Sequence, residues 1–196
     1  MARAEQLREG VRKAYSAAAE RPQDKHPFPV GRQFALSLGY PEEQLAHLPA
    51  VAVEAFSGVS NLSFLAEIPE GATVLDLGCG AGLDSLIAAR RVGPAGKVIG
   101  FDFSPAMVAR ARQAAEEAGA SNVEIQHADA EALPLEDASI DIALVNGIFN
   151  LNPARDAIMR ELARVMRRGG SVYAAELVLK GPLSAEERVS ETNWFG

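Results

Sequence analysis

Two rhythms of apolar and polar positions divide the chain. Over residues 3–20, Leu7, Val11, Ala14, Tyr15 and Ala18 recur at helical spacing within an otherwise charged segment, so the pattern predicts an amphipathic helix. Pro22, Pro27 and Pro29 forbid its continuation, because each removes an amide donor and pushes its predecessor out of helical geometry. Residues 21–29 therefore read as a loop. Pro41-Glu42-Glu43 has the make-up of a helix start, with acids at the positive end of the dipole, and short helical segments fill the region to Leu65. Beyond Ala72 the rhythm changes. Near-continuous apolar runs at 73–77, 97–101, 122–126, 140–145 and 171–178 predict strands of a sheet buried on both faces, separated by helices near 83–92, 105–118 and 153–167. Ser104-Pro105 caps the second of these helices, and Arg167-Arg168-Gly169-Gly170 ends the third with cations at its negative end. Alternating strands and helices define an α/β fold with a doubly wound, mostly parallel sheet. The expected organisation is a helical cap over 1–68, a core over 69–180 and a tail over 181–196.

Composition narrows the class. A chain of 196 residues with 48% apolar and 23% charged positions suits one globular domain with a short appendage. No apolar run approaches the ~18 residues of a membrane span, and the charged start lacks the apolar core of a signal peptide, so a cytoplasmic protein without membrane contact is expected. The net charge of -7 and the absence of a basic stripe argue against nucleic acid as a partner. One cysteine, Cys79, and three scattered histidines, His26, His47 and His127, provide neither a disulfide framework nor metal-ligand spacing, so no metal is expected.

The first strand runs into Gly78-Cys79-Gly80-Ala81-Gly82, where glycines allow a sharp turn and close ligand approach at the start of a helix. A dinucleotide fingerprint would need a third glycine where Leu83 stands, and Asp76, two residues before the loop, would repel a pyrophosphate. That carboxylate suits the ammonium of an amino-acid-bearing cofactor, which favours S-adenosylmethionine (SAM) over a nicotinamide dinucleotide. Asp102 follows the last loop glycine by 20 residues, the span that crosses one helix to the end of the adjacent strand, where a carboxylate accepts ribose hydroxyls. Asp129, after the third strand, is placed to accept an adenine amino group, with the Ala130 amide donating to the ring.

Together, VLDLGCGAG at 74–82, VIGFDFSPAMV at 98–108, HADAEALP at 127–134 and ELARVMRRGG at 161–170 resemble class I SAM-dependent methyltransferases, over roughly residues 8–180. VRKAY at 11–15, SLGYPEE at 37–43, residues 81–107 and LVNGIFNLNPAR at 144–155 are similar to the arsenite methyltransferase branch. The resemblance implies a Rossmann-like core with SAM at the carboxyl ends of strands one, two and four. It places Phe103 and Met107 beside the ribose or adenine, Met107 being equally suited to the core, and Asn146 near the methionyl part. Cysteines typical of the arsenite branch are missing from 22–34, from Gly58-Val59-Ser60-Asn61 and from Asn146-Gly147-Ile148-Phe149, and Cys79 reads as a small packing residue. The sheet is expected to be truncated after its fifth strand.

Methyl transfer from a sulfonium chiefly requires alignment of donor and acceptor and exclusion of water. Tyr15, His26 and Asn146 are the candidates for a catalytic role, and Phe28, Phe34 and Phe149 suit an apolar or aromatic small-molecule acceptor. Trp194 and Phe195 are candidates for the acceptor pocket or for covering the core. The fifth strand would leave a long apolar edge, open to self-association or to cover by the tail. Two other readings stand beside the methyltransferase: a SAM-binding module without activity, and a nicotinamide-dependent oxidoreductase, which Asp76 and Leu83 oppose.

Overall fold

The computed structural model describes residues 2–179 and 181. Its first element is the long helix α1 (Ala2–Glu20), followed by four short helices, α2 (Arg32–Ser37), α3 (Glu42–Ala46), α4 (Ala50–Glu54) and α5 (Leu62–Leu65). The core then alternates β1 (Thr73–Leu77), α6 (Leu83–Val92), β2 (Lys97–Asp102), α7 (Pro105–Glu117), β3 (Val123–His127), β4 (Ile140–Asn146), α8 (Arg155–Val165) and β5 (Met166–Ala175). All pairings are parallel, in the order β3-β2-β1-β4-β5. The chain winds outward from β1 to β3, then returns to the other side of β1, so β1 and β4 flank the point where strand order reverses. In open parallel sheets, that point opens a crevice at the strands' carboxyl ends.

Period-two alternation sends successive strand residues to opposite faces. Val74, Val98 and Leu144 pack with Ala88, Ala89 and Val92 of α6 and with Leu62 of α5. Leu75, Leu77, Ile99, Phe101 and Val145 pack with Ile158, Leu162 and Val165 of α8 on the other face. Asp76 shares the first face and thus meets α6 rather than solvent.

The cap and the sheet layer share one core, since Tyr40, Leu45, Val53 and Phe56 cluster with Leu83, Leu86 and Ile87 of α6. Helices as short as α2–α5 are marginal on their own. Arginines from the core helices hold α3–α5, together with the end of α1, at backbone carbonyls. Arg110 donates to Val51 O and Ala19 O, each at 2.6 Å, Arg90 to His47 O at 2.6 Å, and Arg91 to Ala66 O at 2.8 Å and to Ser63 O.

Most predicted elements agree within two residues, but the last strand does not. The sequence reading put it at 171–178 after a helix reaching 167, whereas α8 ends at Val165 and β5 occupies Met166–Ala175. Ile140 pairs with Met166 and Ile142 with Ser171, an irregularity that accommodates Arg167-Arg168-Gly169-Gly170 inside the strand, with Gly169 at φ +86. Among the described residues β5 pairs with β4 alone. The expected cover by the tail, and Trp194 and Phe195, lie outside the described residues. No helix among those described is long and apolar enough to cross a membrane.

Candidate functional site

A cleft enclosing about 1030 Å³, its open mouth included, lies at the carboxyl ends of β1, β2 and β4 under α1. Its floor is the glycine loop. Gly78 N and Cys79 N both donate to Phe101 O, at 2.8 and 2.9 Å, folding the end of β1 over β2. Gly78, at φ +77, could not carry a side chain, because a Cβ there would lie 2.4 Å from Ile148 Cγ2. Gly80, at φ +53, has no atom within 4 Å of where its Cβ would be, which leaves the loop backbone accessible. Gly82 starts α6 at φ +85, close to Ala111 of α7, and is not part of the wall.

Three buried acids surround this loop. Asp102 Oδ2 accepts from Gly80 N at 2.9 Å and Oδ1 from Ser104 N at 2.8 Å, so the same carboxylate fixes the loop and the start of α7. Burial pushes its pKa up to about 6 against the lowering effect of those amides. Asp76 accepts from Ser85 Oγ at 2.5 Å, and burial, followed by the nearby Asp84 charge, raises it to about 7. Asp84, in the first turn of α6, accepts from Tyr40 Oη at 2.7 Å, from Ser63 Oγ and from Asn146 Nδ2 at 2.9 Å; burial raises its pKa too.

Asn146 is fully engaged by the protein. Its Oδ1 accepts from Val59 N at 2.9 Å and Ser60 N at 3.2 Å, and its Nδ2 donates to Ser60 O at 2.8 Å as well as to Asp84. It therefore ties cap residues 59–60 to β4, and its polar atoms are committed to that role.

At the opposite end, Arg8 of α1 reaches down to Asp129 at 2.8 Å and Glu131 at 3.1 Å. Glu131 Oε1 also accepts from Asn152 Nδ2 at 3.1 Å, while its Oε2 is buried without a hydrogen-bond partner among the described residues. Such an orphaned acceptor is costly unless a ligand donor meets it. Five carboxylates, Asp76, Asp84, Asp102, Asp129 and Glu131, line the cleft against one cation, Arg8, which is already paired.

Of the expected cofactor residues, Asp76, Gly78, Cys79, Gly80, Asp102, Phe103, Asp129, Ala130 and Asn146 all line the cleft. Met107 does not: it is fully buried among Ala18, Ala19, Ala55 and Ala81, because its side chain fills the α1–α7 contact. Cys79 packs against Val108, Ala111 and Ile125 while bordering the cleft, and burial pushes its thiol pKa up, leaving it protonated.

Tyr15 lines the cleft, its ring stacked on Phe28 at 4.4 Å. Burial and the charges of Asp102 and Glu176 push its pKa up, so its phenol keeps its proton. His26 is away from the cleft, because its Nε2 bonds to Arg21 O at 2.9 Å within its own loop. The expected aromatic wall is also different. Phe28 backs Tyr15, Phe34 packs on Phe56 in the cap core, and Phe149 packs against the sheet face bearing Leu75 and Leu77; Phe56, Ile148 and Leu151 line the cleft instead. Sequence reasoning passed over Asp84, Tyr40, Arg8 and Glu131. An acid within the apolar start of α6, Leu83-Asp84-Ser85-Leu86-Ile87, was the available signal for the first of these.

The methyltransferase domain family matches residues 68–195, and the chain belongs to that family. It is 37% identical over 159 residues to an arsenite methyltransferase of Halobacterium salinarum, an alignment covering 81% of this chain and 40% of the relative. It is 36% identical over 106 residues to a demethylmenaquinone methyltransferase of Lactococcus lactis, covering 54% and 42% of the two chains. The chain thus spans about two fifths of the length of these relatives. Among solved structures it is similar to an arsenic(III) S-adenosylmethionine methyltransferase from Chlamydomonas reinhardtii, at 31% identity and TM-score 0.56, covering 74% of this chain and 48% of that one. A SAM-dependent methyltransferase from Aquifex aeolicus matches at 32% identity and TM-score 0.50, covering 52% and 54%. The fold is the Rossmann-like core of class I methyltransferases, and the family's cofactor is SAM.

Proposed function

We propose that the chain binds SAM in the cleft and transfers its methyl group to a small organic acceptor, in the cytoplasm and without nucleic-acid or membrane partners. The observation that carries this reading is the charge balance of the cleft. Buried carboxylates crowd a glycine loop, and the one cation among the described residues that line the cleft, Arg8, is paired, a setting that favours a ligand bearing ammonium and sulfonium charge and disfavours a pyrophosphate. The orphaned Glu131 oxygen, at the end of the cleft where the adenine is expected, offers a further acceptor to a ligand donor.

When bound, SAM supplies an electrophilic methyl group on a good leaving group. Asp102 and Phe103 would hold the ribose region, Asp129 and the Ala130 amide the adenine, and Asp76 with the loop from Gly78 to Ala81 the methionyl end. Asn146, itself held by Asp84, fixes cap residues 59–60 beside the reacting centre. Tyr15, Phe56, Ile148 and Leu151 form the acceptor wall and exclude water, which suits an apolar or aromatic acceptor. Neither Tyr15, held protonated, nor His26 acts as a base, so acceptors that present a lone pair unaided are preferred.

Arsenite is not the expected acceptor. Trivalent arsenic prefers thiolates, as soft metal ions do, and the sequence offers one cysteine, whose buried thiol stays protonated. Calorimetry with SAM, S-adenosylhomocysteine and NADH, followed by methyl transfer to catechol, thiophenol, aniline and arsenite, tests the reading. Binding of SAM with turnover on an organic acceptor is expected. NADH binding in place of SAM would overturn the cofactor, and clear methylation of arsenite the acceptor class.

A further inference from the structure

The segment after β4 forms the cleft wall opposite the glycine loop: Gly147, Ile148, Leu151 and Asn152 line it. Gly147, at φ +84, ends the strand, its amide donating to Ala175 O at 2.9 Å. The next three amides then converge on one carboxylate. Glu176 Oε1 accepts from Ile148 N and Phe149 N, each at 2.8 Å, and Oε2 accepts from Asn150 N at 3.3 Å. Successive amides around an anion form a nest, and bonds to an ionised acceptor are stronger than neutral ones.

Glu176 stands one residue beyond β5, and no ion pair among the described residues includes it. The strand has no use for the carboxylate; the neighbouring loop does. From the other side, Arg155 Nε donates to Phe149 O at 2.6 Å. Held between these groups, the loop presses Ile148 Cγ2 to within 2.4 Å of where a Gly78 Cβ would lie, joining the acceptor wall to the cofactor loop. Glu176 also faces the roof closely enough that its charge contributes to keeping the Tyr15 phenol protonated.

We propose that Glu176 is a positioning residue for the methyl acceptor: its carboxylate, seated on the amides of Ile148, Phe149 and Asn150, sets the shape of the loop that walls the acceptor end of the cleft. The assignment rests on the methyltransferase reading above and adds the residue that defines the acceptor wall. Side chains on the loop touch the acceptor; Glu176 acts through them.

Glu176→Ala and Glu176→Gln test it in the full chain. Amide hydrogen exchange followed by NMR should be at least about tenfold faster at Ile148, Phe149 and Asn150 in Glu176→Ala, intermediate in Glu176→Gln, and unchanged at Leu144 and Val145. Formate, a carboxylate small enough for the vacated nest, should slow exchange again in Glu176→Ala. SAM affinity by calorimetry should stay within about twofold, while KM for whichever of catechol, thiophenol and aniline the wild type methylates rises about tenfold and kcat falls less. Unchanged exchange at the three amides, absence of formate rescue, or a loss of SAM affinity as large as the rise in KM overturns the role of Glu176. A wild-type chain that binds no SAM, or methylates none of the three, overturns the reading beneath it, and the assignment falls with it.

Discussion

Replacing Asp102 by asparagine separates two roles that the structure gives one side chain. The carboxylate accepts two backbone amides, Gly80 N at 2.9 Å and Ser104 N at 2.8 Å, and borders the cleft where a ribose is expected. Asparagine keeps one oxygen acceptor and turns an NH2 toward the other amide, so one charge-assisted bond becomes neutral and one is lost, at roughly 1.5–3 kcal/mol for each bond to a charged group. Set against this is the burial of the charge itself. A pKa raised from 3.8 to about 6 corresponds to about 3 kcal/mol of unfavourable ionisation at pH 7, which the amide relieves. Losing one bond and the charge on the other costs about 2.5–4.5 kcal/mol, so the net change in stability is about −0.5 to +1.5 kcal/mol, at most roughly 6 °C in Tm for a domain of this size. SAM affinity has no such offset, because the ribose hydroxyls lose an ionised acceptor and the glycine loop its anchor. A fall of about tenfold to a hundredfold or more is expected at pH 7.5, by calorimetry on protein shown to be folded by its thermal transition. Unchanged SAM affinity would refute the ribose assignment, and a Tm drop well beyond that range would show that the offset from relieved burial is absent.

Asp76 and Asp102 titrate above their ordinary 3.8, at about 7 and about 6, so the folded chain keeps protons that the unfolded chain has lost. Their contribution to stability falls as pH rises from about 4 to 7, whereas binding a cation favours the ionised forms; SAM affinity should therefore rise across about pH 6–7 with proton release, and S-adenosylhomocysteine should show less. Calorimetry in buffers of different ionisation heat measures this, and a flat profile would contradict it. Tyr40→Phe removes the donor at 2.7 Å from buried Asp84 and should cost about 1.5–3 kcal/mol in urea unfolding; a change within experimental error would mean that Asp84 is satisfied without it. The edge of β5 away from β4, unpaired among the described residues and with Val172 45% exposed, should support self-association of this chain, and light scattering showing a monomer at high concentration would count against it.

The parallel core was legible because its signals are local: β1, β2 and β4 are apolar runs ended by turns, and Ser104-Pro105 marks the start of α7 by a cap whose Oγ does accept from Met107 N, at 3.3 Å. The start of β5 was not, since two arginines and two glycines ordinarily end a helix, and only the irregular pairing with β4 admits them to a strand. Within the site, residues at strand ends could be placed by counting along the chain, which is how Asp76, Asp102 and Asp129 were found. Residues that act across long sequence separations could not. Tyr40 meets Asp84 over 44 positions, Arg8 meets Asp129 over 121, and Glu176 meets its amides over 26–28. His26 misled in the opposite way, as a chemically capable side chain whose loop turns it back on its own backbone.

The arginines that fasten the cap bind carbonyl oxygens, and every residue carries one. Arg90, Arg91 and Arg110 therefore grip α1, α3, α4 and α5 largely by features that do not depend on what the cap's side chains are, the bond from Arg110 to Glu54 Oε2 at 3.0 Å excepted. Tyr15 of α1 and Ser57, just beyond α4, face the cleft and lie outside the core that the cap shares with α6, so they can be exchanged while that grip persists. This part of the docking is blind to side-chain identity, whereas the core that Tyr40, Leu45, Val53 and Phe56 share with α6 is not. For a designer this separates two problems usually entangled: the inner lining of the cap can be rewritten for a new acceptor, with the grip of α6 and α7 on its backbone left as it stands.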